Sequence, residues 1–327
     1  MNDNYLEVLQ QYDGETIEVR RGRGAWICER SDGRKLLREY RGSVRRLEFE
    51  ETVLAKLQTQ GIRLVDQYVR NQEGNLITCA GDGVHYILKD WFTDRECLLA
   101  DSREILTAVG WIARLHLALR SVGWQEEWDL GSILPPGPAK EMERHNREMK
   151  RVRTYVSHKR KKNAFELCVM QHFSPWYEQA VAAQEGLAFL ENGQRENRLF
   201  LCHGDLNQHH LLMRGNEAIF IEFNQMHRGC QIRDLYHFMR KVMEKHDWNE
   251  WLGLAMMEAY DRILPLSRED HDSLYYLFLY PEKYWKQLNY YYNTNKAWAP
   301  ARSVEKLYRL EQQQENRNRF LASIREN

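Results

Sequence analysis

A stretch of eight residues, His203 to His210, has the residue types and spacing of a loop that transfers phosphoryl groups. Such loops follow the pattern H-x-D-L-x-x-x-N, in which the aspartate is the catalytic base and the asparagine holds a magnesium ion. Here Asp205 stands at the base position, and His210 stands where the asparagine belongs. The apolar "LFLC" before the loop is typical of a buried strand that delivers Asp205 to a cleft. The pattern predicts catalytic roles for His203 and Asp205; a strand followed by an ordinary turn is the alternative.

A second element of such a site lies on the segment "AIFIEFN". Glu222 stands where phosphoryl-transfer enzymes carry an aspartate that holds the Mg²⁺ bridging the phosphates. Glutamate is a hard oxygen ligand, but its extra methylene moves the carboxylate by about 1.5 Å. His210 is the less suitable replacement, because neutral imidazole prefers zinc, copper or iron to magnesium. Glu222 and His210 are therefore the predicted metal positions, and both are degenerate.

The strand "RKLLREY" carries the candidate for a phosphate anchor. When the motif V-A-I-K is aligned with "KLLR", Arg38 replaces the lysine that contacts the nucleotide phosphates. Glu50 on the next helix is the expected ion-pair partner of Arg38, with Glu51 as the second choice. Gly22 and Gly24 are typical of a shortened glycine loop over phosphates. A solvent-facing charge pair and a simple hairpin turn are the alternatives for these two features.

The elements that must position these residues divide the chain into two lobes. Residues 1–92 predict a β-rich lobe with strands at "TIEVRR", "AWICER", "RKLLREY", "LVDQYVR", "LITCAG" and "HYILKDWF", and one helix after Ser43. Residues 93–327 predict a larger helical lobe around the short strands "RLFLC" and "AIFIEF". The segment near Lys89 to Thr93 would be the hinge, where Asp90 is a cofactor-binding candidate. The predicted fold class is α+β and bilobal, with a small antiparallel-sheet N-lobe and a helical C-lobe.

Composition excludes several classes of protein. The 327 residues have 43% hydrophobic content and balanced charges, with 47 basic and 47 acidic residues. This balance argues against a nucleic-acid-binding protein, and no apolar run is long enough to predict a membrane span. The start "MNDNYLEVLQ" does not have the pattern of a signal peptide. The six cysteines form no C-x-x-C pair, so we expect them to be reduced in a cytoplasmic protein.

A basic segment interrupts this even distribution of charge. Nine lysines and arginines but only two glutamates lie between Glu143 and Lys162. A helix is predicted from about Lys140 to Val156, and another from about Pro175 to Asn192. The basic segment Arg144–Lys162 is either a solvated helix face with its following loop or a docking surface for an acidic protein or polymer.

The ordered motifs resemble the aminoglycoside phosphotransferase and choline kinase superfamily, which has a protein-kinase-like fold. The segments that carry this resemblance are "IARLH", which ends at His116, "HGDLNQHH", "IEFN" and "RDLYHFMRK", which contains Asp234. The chain more closely resembles the CotS-type spore coat proteins of that superfamily. The quoted features are "GRGAWICERSDGRKLLREYRGS", "VDQYVRNQEGNLIT", "YILKDWFTDREC", "REMKRVRTYV" and "YYNTNKAWAPARSVEKL".

This resemblance implies roles for individual residues. Asp205 matches the catalytic base, Glu222 and His210 occupy the metal-binding positions, and Arg38 occupies the position of the phosphate-binding lysine. Asp234 matches an aspartate that holds the catalytic loop, and its role, like that of His116, would be structural. Because the nucleotide-handling positions depart from the usual residues together, binding of ATP and Mg²⁺ is expected to be weak or absent.

The expected function is that of a kinase-like spore coat protein with a degenerate phosphotransfer site, acting mainly as a structural or interaction component. One alternative is an active ATP-dependent phosphotransferase for a small sugar or amino-alcohol acceptor, with Asp205 as base. A second alternative is a regulator that binds nucleotide without turning it over. The expected partners are other spore coat proteins or an acidic polymer, with no nucleic acid and no membrane. The expected location is the cytoplasm of the mother cell, followed by assembly onto the spore coat.

Overall fold

An antiparallel sheet forms the smaller lobe of the computed structural model, which describes residues 4–22, 24–128, 131, 133–193, 199–293 and 301–326. The strand order is β1-β2-β3-β6-β4, and β5 pairs with β6. Four quoted sequence segments extend outside the described residues, at residues 1–3, at Arg23, at Arg198 and at residues 294–300. The strands of this sheet are β1 (Thr16–Gly22), β2 (Ala25–Arg30), β3 (Gly33–Glu39), β4 (Tyr68–Val69), β5 (Thr78–Cys79) and β6 (His85–Asp90).

A helix covers each face of this sheet. The short helix α1 (Asn4–Leu9) lies on the outer face, where Val8 and Leu9 pack with Leu37 and Leu88. The inner face carries Arg38 and packs against α2 (Val44–Thr59). Ser43 begins α2 as predicted, because its hydroxyl accepts a hydrogen bond from the Arg46 backbone N–H. Alternation along β3 therefore directs Arg38 into the cleft between the lobes.

The larger lobe is mostly helical and shares a continuous apolar core with α2. Asp101 caps the central helix of this lobe by accepting hydrogen bonds from two backbone N–H groups of its first turn. The helices are α3 (Ser102–Ser121), α4 (Pro138–His158), α5 (Ala164–Gly193), α6 (Ile232–Lys245), α7 (Glu250–Asp261), α8 (Arg268–Leu279), α9 (Glu282–Asn293), α10 (Ala301–Gln312) and α11 (Gln314–Glu326).

Two small sheets carry the candidate site at the top of the larger lobe. One sheet has the order β10-β9-β7, and the other pairs β8 with β11. The loop that contains Asp205 connects β8 to β9, and Glu222 follows β10. The strands are β7 (Arg95–Glu96), β8 (Phe200–Cys202), β9 (Leu211–Arg214), β10 (Glu217–Phe220) and β11 (His227–Gly229).

Several predicted elements have different bounds in the structure. Helix α5 begins at Ala164 rather than near Pro175, because the apolar spacing of Phe165, Val169 and Phe173 buries one face through the proline. The strand predicted at "LVDQYVR" is reduced to Tyr68–Val69, and "LITCAG" to Thr78–Cys79. Strands β9 and β11 and helix α1 were not predicted, because short elements give little periodicity.

The lobes meet beside the candidate site through hydrogen bonds to main-chain carbonyls and a short strand pairing. Val65 forms a parallel bridge with Phe220, and the Phe220 N–H donates to the Leu64 carbonyl at 3.0 Å. Arg46 on α2 donates to the carbonyl of Met226 at 2.6 Å. These contacts attach the segment after β10 to the N-lobe. The boundary at residue 92 stays a prediction.

Composition-based expectations can be compared with the described residues. Within them, no helix combines the length and apolarity needed to cross a bilayer. All six cysteines are described and have free thiols, and Cys28, Cys97, Cys168 and Cys202 are buried.

Candidate phosphotransfer site

The loop between β8 and β9 presents Asp205 to the cleft. Its side chain is 51% exposed, and Oδ1 accepts a hydrogen bond from the Asn207 side chain at 3.0 Å. Gly204 has a φ of +86°, and a Cβ there would lie 2.0 Å from the carbonyl oxygen of Gln225. The loop therefore requires glycine beside Asp205, both for its backbone conformation and for its close approach to the chain after Glu222.

Asp234 holds this loop from below. Its two carboxylate oxygens accept hydrogen bonds from the backbone N–H groups of His203 at 2.7 Å and of Gly204 at 3.0 Å. His116 lies with Nε2 3.5 Å from the carboxylate, and its Nδ1 is 2.7 Å from the hydroxyl of Tyr260. Burial opposes ionisation of Asp234, but the neighbouring histidines outweigh it and lower the pKa of the carboxyl. The sequence motifs indicated Asp234 and His116, whereas Tyr260 lies far along the chain and had no local signal.

His203 is fully buried beneath the loop. Its Nε2 lies 3.0 Å from the carbonyl oxygen of Ile221, so this nitrogen carries the proton and donates. Burial lowers the pKa of His203 to about 4, although the Asp234 charge opposes this effect. A neutral, buried ring in contact with backbone is suited to positioning the loop. These contacts argue for a positioning role and against the catalytic role predicted from the motif.

His210 turns one nitrogen towards the loop itself. Its Nδ1 lies 2.8 Å from the Asp205 carbonyl oxygen, which requires an N–H donor at that nitrogen. The same atom is 3.4 Å from the Asp205 carboxylate. His210 thus supports the conformation of the loop, and its Nδ1 is not available as a ligand. Among the described residues, no three His, Cys, Asp or Glu side chains are grouped so that they could hold a metal ion.

Arg38 and Glu222 form a two-pronged ion pair across the cleft. The guanidinium Nη1 and Nη2 donate to the two carboxylate oxygens at 2.8 and 2.5 Å. Burial opposes ionisation of Glu222, but Arg38 outweighs it and lowers the pKa of the carboxyl. Glu222 also has a φ of +66°, a conformation that costs free energy in residues other than glycine and that is found at functional sites. The side chain predicted to bind phosphate, Arg38, and the side chain predicted to bind the metal, Glu222, therefore neutralise each other's charge.

The predicted pairing of Arg38 with Glu50 is wrong. Glu50 accepts from Arg46 at 2.5 Å and from the hydroxyl of Tyr68. Arg46 lies one turn before Glu50 on the same helix face, so it reaches the carboxylate first. Arg38 is consequently left to pair with Glu222.

A second buried ion pair lies behind the first. Lys89 contacts Asp66 at 2.7 Å and also lies 4.5 Å from the centre of the Tyr68 ring. The same carboxylate oxygen of Asp66, Oδ2, also accepts a hydrogen bond from the backbone N–H of Glu222 at 3.0 Å. Burial raises the pKa of Asp66 in spite of Lys89. The back of the cleft is thus filled with charges that pair with each other.

The remaining cofactor candidates lie at the edges of the cleft. Gly24 has a φ of +72° in the turn between β1 and β2, and a Cβ at Gly22 would lie 2.9 Å from the side chain of Ile27. The contact at Gly22 is therefore with its own sheet. The Asp90 carboxylate is paired with Lys35 at 2.7 Å. These positions lie near the cleft, but their contacts are structural ones within the N-lobe.

The basic segment is only partly free of intramolecular partners. Lys159 pairs with the buried Glu166 at 2.5 Å, and Arg147 pairs with the exposed Glu143 at 3.2 Å. Arg144, Lys150 and Arg151 are exposed on the surface of α4. The helix therefore presents a basic outer face, with the charge of Lys159 compensated.

Comparisons with known proteins agree with this architecture. No family model matches the chain. The chain is 22% identical over 315 residues to spore coat protein S of Bacillus subtilis, which covers 93% of this chain and 88% of that protein. The predicted resemblance to CotS-type spore coat proteins is confirmed at the level of this similarity.

Solved structures of phosphotransferases have the same fold. An aminoglycoside phosphotransferase from Alicyclobacillus acidocaldarius aligns with a TM-score of 0.83 at 17% identity, covering 98% of this chain and 95% of that one. The AMP complex of spectinomycin phosphotransferase aligns with a TM-score of 0.64 at 11% identity, covering 93% and 97%. Amicoumacin kinase in complex with AMP-PNP and Ca²⁺ aligns with a TM-score of 0.60 at 12% identity, covering 98% and 94%. The predicted bilobal, kinase-like fold is confirmed.

Proposed function

We propose that this protein is a kinase-like component of the spore coat whose phosphotransfer site is degenerate and whose main role is structural. The observation that carries this proposal is the ion pair between Arg38 and Glu222. In a working site, the first would bind phosphate and the second a metal ion. Here each satisfies the other, so neither presents a free charge to a nucleotide.

The residues present do not fit Mg²⁺-ATP. Both oxygens of Glu222 accept from Arg38, while Nδ1 of His210 contacts the Asp205 backbone. An imidazole is also a poor ligand for Mg²⁺, which prefers oxygen. Binding of the nucleotide would require the chain to break a partly buried ion pair. Solved phosphotransferases with the same fold have been crystallised with AMP or AMP-PNP, so the fold permits nucleotide binding. In this chain, the side chains of the cleft disfavour the nucleotide.

Retention of the loop that holds Asp205 favours one other candidate function. Asp234 still orients this loop, and the Asp205 carboxylate is half-exposed. An active phosphotransferase with Asp205 as base, acting on a small sugar or amino alcohol, is therefore the second candidate. A regulator would bind ATP as such an enzyme does, but it would not transfer the phosphoryl group to an acceptor.

Nucleotide assays separate these candidates. We expect the protein to show neither a thermal shift with ATP and Mg²⁺ or Mn²⁺ nor transfer of labelled phosphate to a panel of acceptors. Arg38→Lys, His210→Asn and Glu222→Asp together should restore binding of Mg²⁺ with inorganic triphosphate, because they remove the competing pair and restore the usual ligands. ATP turnover by the unaltered protein, abolished by Asp205→Asn, would contradict the proposal. A thermal shift without turnover would favour the regulator.

The structural role is tested by location. The similarity to spore coat protein S supports assembly onto the spore. A fluorescent fusion produced in the mother cell of sporulating Bacillus subtilis should form a ring at the spore surface. An evenly dispersed mother-cell signal would contradict assembly onto the coat.

The basic face of α4 is the proposed contact with an acidic coat protein or polymer. Its exposed charges can attract an acidic partner over roughly 10 Å in physiological salt. Replacing Arg144, Lys150 and Arg151 by glutamine should weaken the ring of fluorescence. The matched control replaces three exposed arginines outside α4 by glutamine. These are Arg262, Arg268 and Arg319. An equal loss in both variants would point to general charge and away from α4.

A further inference from the structure

Two consecutive aromatic residues, Trp91 and Phe92, follow β6 in the linker between the lobes. Arg38 and Glu222 mark the phosphate end of the cleft. Leu36 precedes Arg38 by two residues and points to the same face of β3, on the side nearer the linker. There the backbone N–H of Trp91 donates to the carbonyl of Arg34 at 3.0 Å. The base end of the cleft is therefore bounded by β3, β9 and the linker.

We call the base end of the cleft the base slot, with the N-lobe sheet as its upper wall and the larger lobe as its lower wall. Trp91 covers the upper wall. Ala25, Ile27 and Leu36 form one apolar cluster on the inner face of the sheet, and Trp91 packs against it. These three side chains are only 3%, 8% and 4% exposed. Leu36 stands where the motif V-A-I-K has alanine, so its larger side chain fills space that the motif leaves open. The upper wall is thus covered by the chain's own side chains.

Phe92 closes the lower wall in the same way. It packs against a cluster formed by Leu212, Ile219 and Ile221 of the larger lobe. The side chain of Leu212 is only 3% exposed. The guanidinium of Arg214 lies 5.9 Å from the centre of the Phe92 ring. Arg214 is itself held by Asp94 at 2.8 Å. Phe92 is therefore fixed between apolar contacts on one side and a cation on the other.

Stacking of a planar base needs two apolar walls about 7 Å apart, because each face makes van der Waals contact at about 3.5 Å. Adjacent residues of an extended linker point to opposite sides, which sends Trp91 to the upper wall and Phe92 to the lower wall. We propose that these two side chains act as a built-in occupant of the base slot and exclude nucleotide bases from it. The inference rests on the proposed function, because it assumes that the cleft is the remnant of a nucleotide site. It concerns the base end of the cleft, which is separate from the ion pair at the phosphate end.

Adenosine is the appropriate probe. It has a base but no phosphate, so its binding does not depend on Arg38 and Glu222. Trp91→Ala with Phe92→Ala should lower the melting temperature and create a slot that adenosine or indole refills. Either compound at about ten times its Kd should then raise the melting temperature of the variant, while leaving the unaltered protein unchanged. Trp251→Ala is the control, because Trp251 is 67% exposed on α7 and its removal opens no slot.

Two results would overturn the inference. One is a folded double variant whose melting temperature responds to adenosine and indole no more than that of Trp251→Ala. The other is binding of adenosine to the unaltered protein at millimolar concentration, measured by calorimetry. This second measurement decides the question even if the double variant does not fold. Adenosine binding without ATP turnover would overturn the closed slot and leave the degenerate phosphate end intact, whereas turnover would overturn the proposed function.

Discussion

The ion pair between Arg38 and Glu222 should contribute measurably to stability, because it joins β3 to the segment after β10. The side chains are 31% and 16% exposed, so the pair lies between a surface pair and a buried one. Exposed pairs contribute about 0–1 kcal/mol, whereas removal of one partner from a buried pair costs about 3–5 kcal/mol. We therefore expect Arg38→Met to lower the free energy of unfolding by about 2 kcal/mol.

A double-mutant cycle separates the pair from the surroundings of each residue. Glu222→Gln keeps one acceptor for Arg38 and should cost about 1 kcal/mol. The double variant should lose less than the sum of the two, which gives a coupling energy of about 1 kcal/mol or more in urea unfolding. The control is the ion pair between Arg262, the C-cap of α7, and Glu258 on α7, whose side chains are 71% and 62% exposed. Its coupling should not exceed about 0.5 kcal/mol.

The outcome that refutes this reasoning is a coupling energy no larger than that of the control pair. It would mean that the cleft is not held closed by Arg38 and Glu222. A loss of coupling in 1 M NaCl would show that the pair is accessible to solvent, because the screening length there is about 3 Å. The expected result is that most of the coupling remains at this salt concentration.

Three further predictions concern the loop that contains Asp205 and the residues beneath it. Because burial lowers the pKa of His203 from 6.5 to about 4, the unfolded chain takes up this proton first. The free energy of unfolding should therefore fall as the pH drops from 6.5 to 4, by on the order of 3 kcal/mol, and the same urea titration of His203→Gln should show a flatter profile. Gly204→Ala should cost more than about 2 kcal/mol, since its Cβ would clash with a carbonyl oxygen; Gly24→Ala, at a similar φ in open space, should cost only about 1 kcal/mol. Equal losses in the two glycine variants would contradict this close-contact argument. Tyr260→Phe removes the hydroxyl beside His116 and should cost about 1–2 kcal/mol in thermal unfolding; Tyr284→Phe, whose hydroxyl lies 3.5 Å from its acceptor, should cost less. A loss no larger than that of Tyr284→Phe would count against the buried chain from Tyr260 to Asp234.

Local signals in the sequence were sufficient to predict the segment that contains Asp205. The spacing from His203 to His210 predicted a loop after a buried strand, and the structure has β8 and that loop in this place. The helix that begins after Ser43 and the helical lobe also followed from local patterns. Such features depend on backbone hydrogen bonds and side-chain spacing within a few residues, which is information that a single sequence contains.

The charge pairings of the cleft required the tertiary structure. Glu50 had the right spacing to meet Arg38, but Arg46 lies nearer on the same helix and Tyr68 arrives from β4. Glu222 meets Arg38 only because the two lobes close on each other, across 184 positions of the chain. A charged side chain pairs with the nearest available opposite charge in space. The sequence alone does not specify the distances between residues far apart in the chain.

The sequence by itself determined that the chain has a kinase-like fold with an altered set of nucleotide-handling residues. Only the tertiary structure decided what those alterations do together. It showed that Arg38 and Glu222 neutralise each other and that Trp91 packs against the cluster containing Leu36 on the inner face of the sheet. The physical reason is that residue identity fixes charge and volume, whereas packing fixes which charges meet and which volumes are filled.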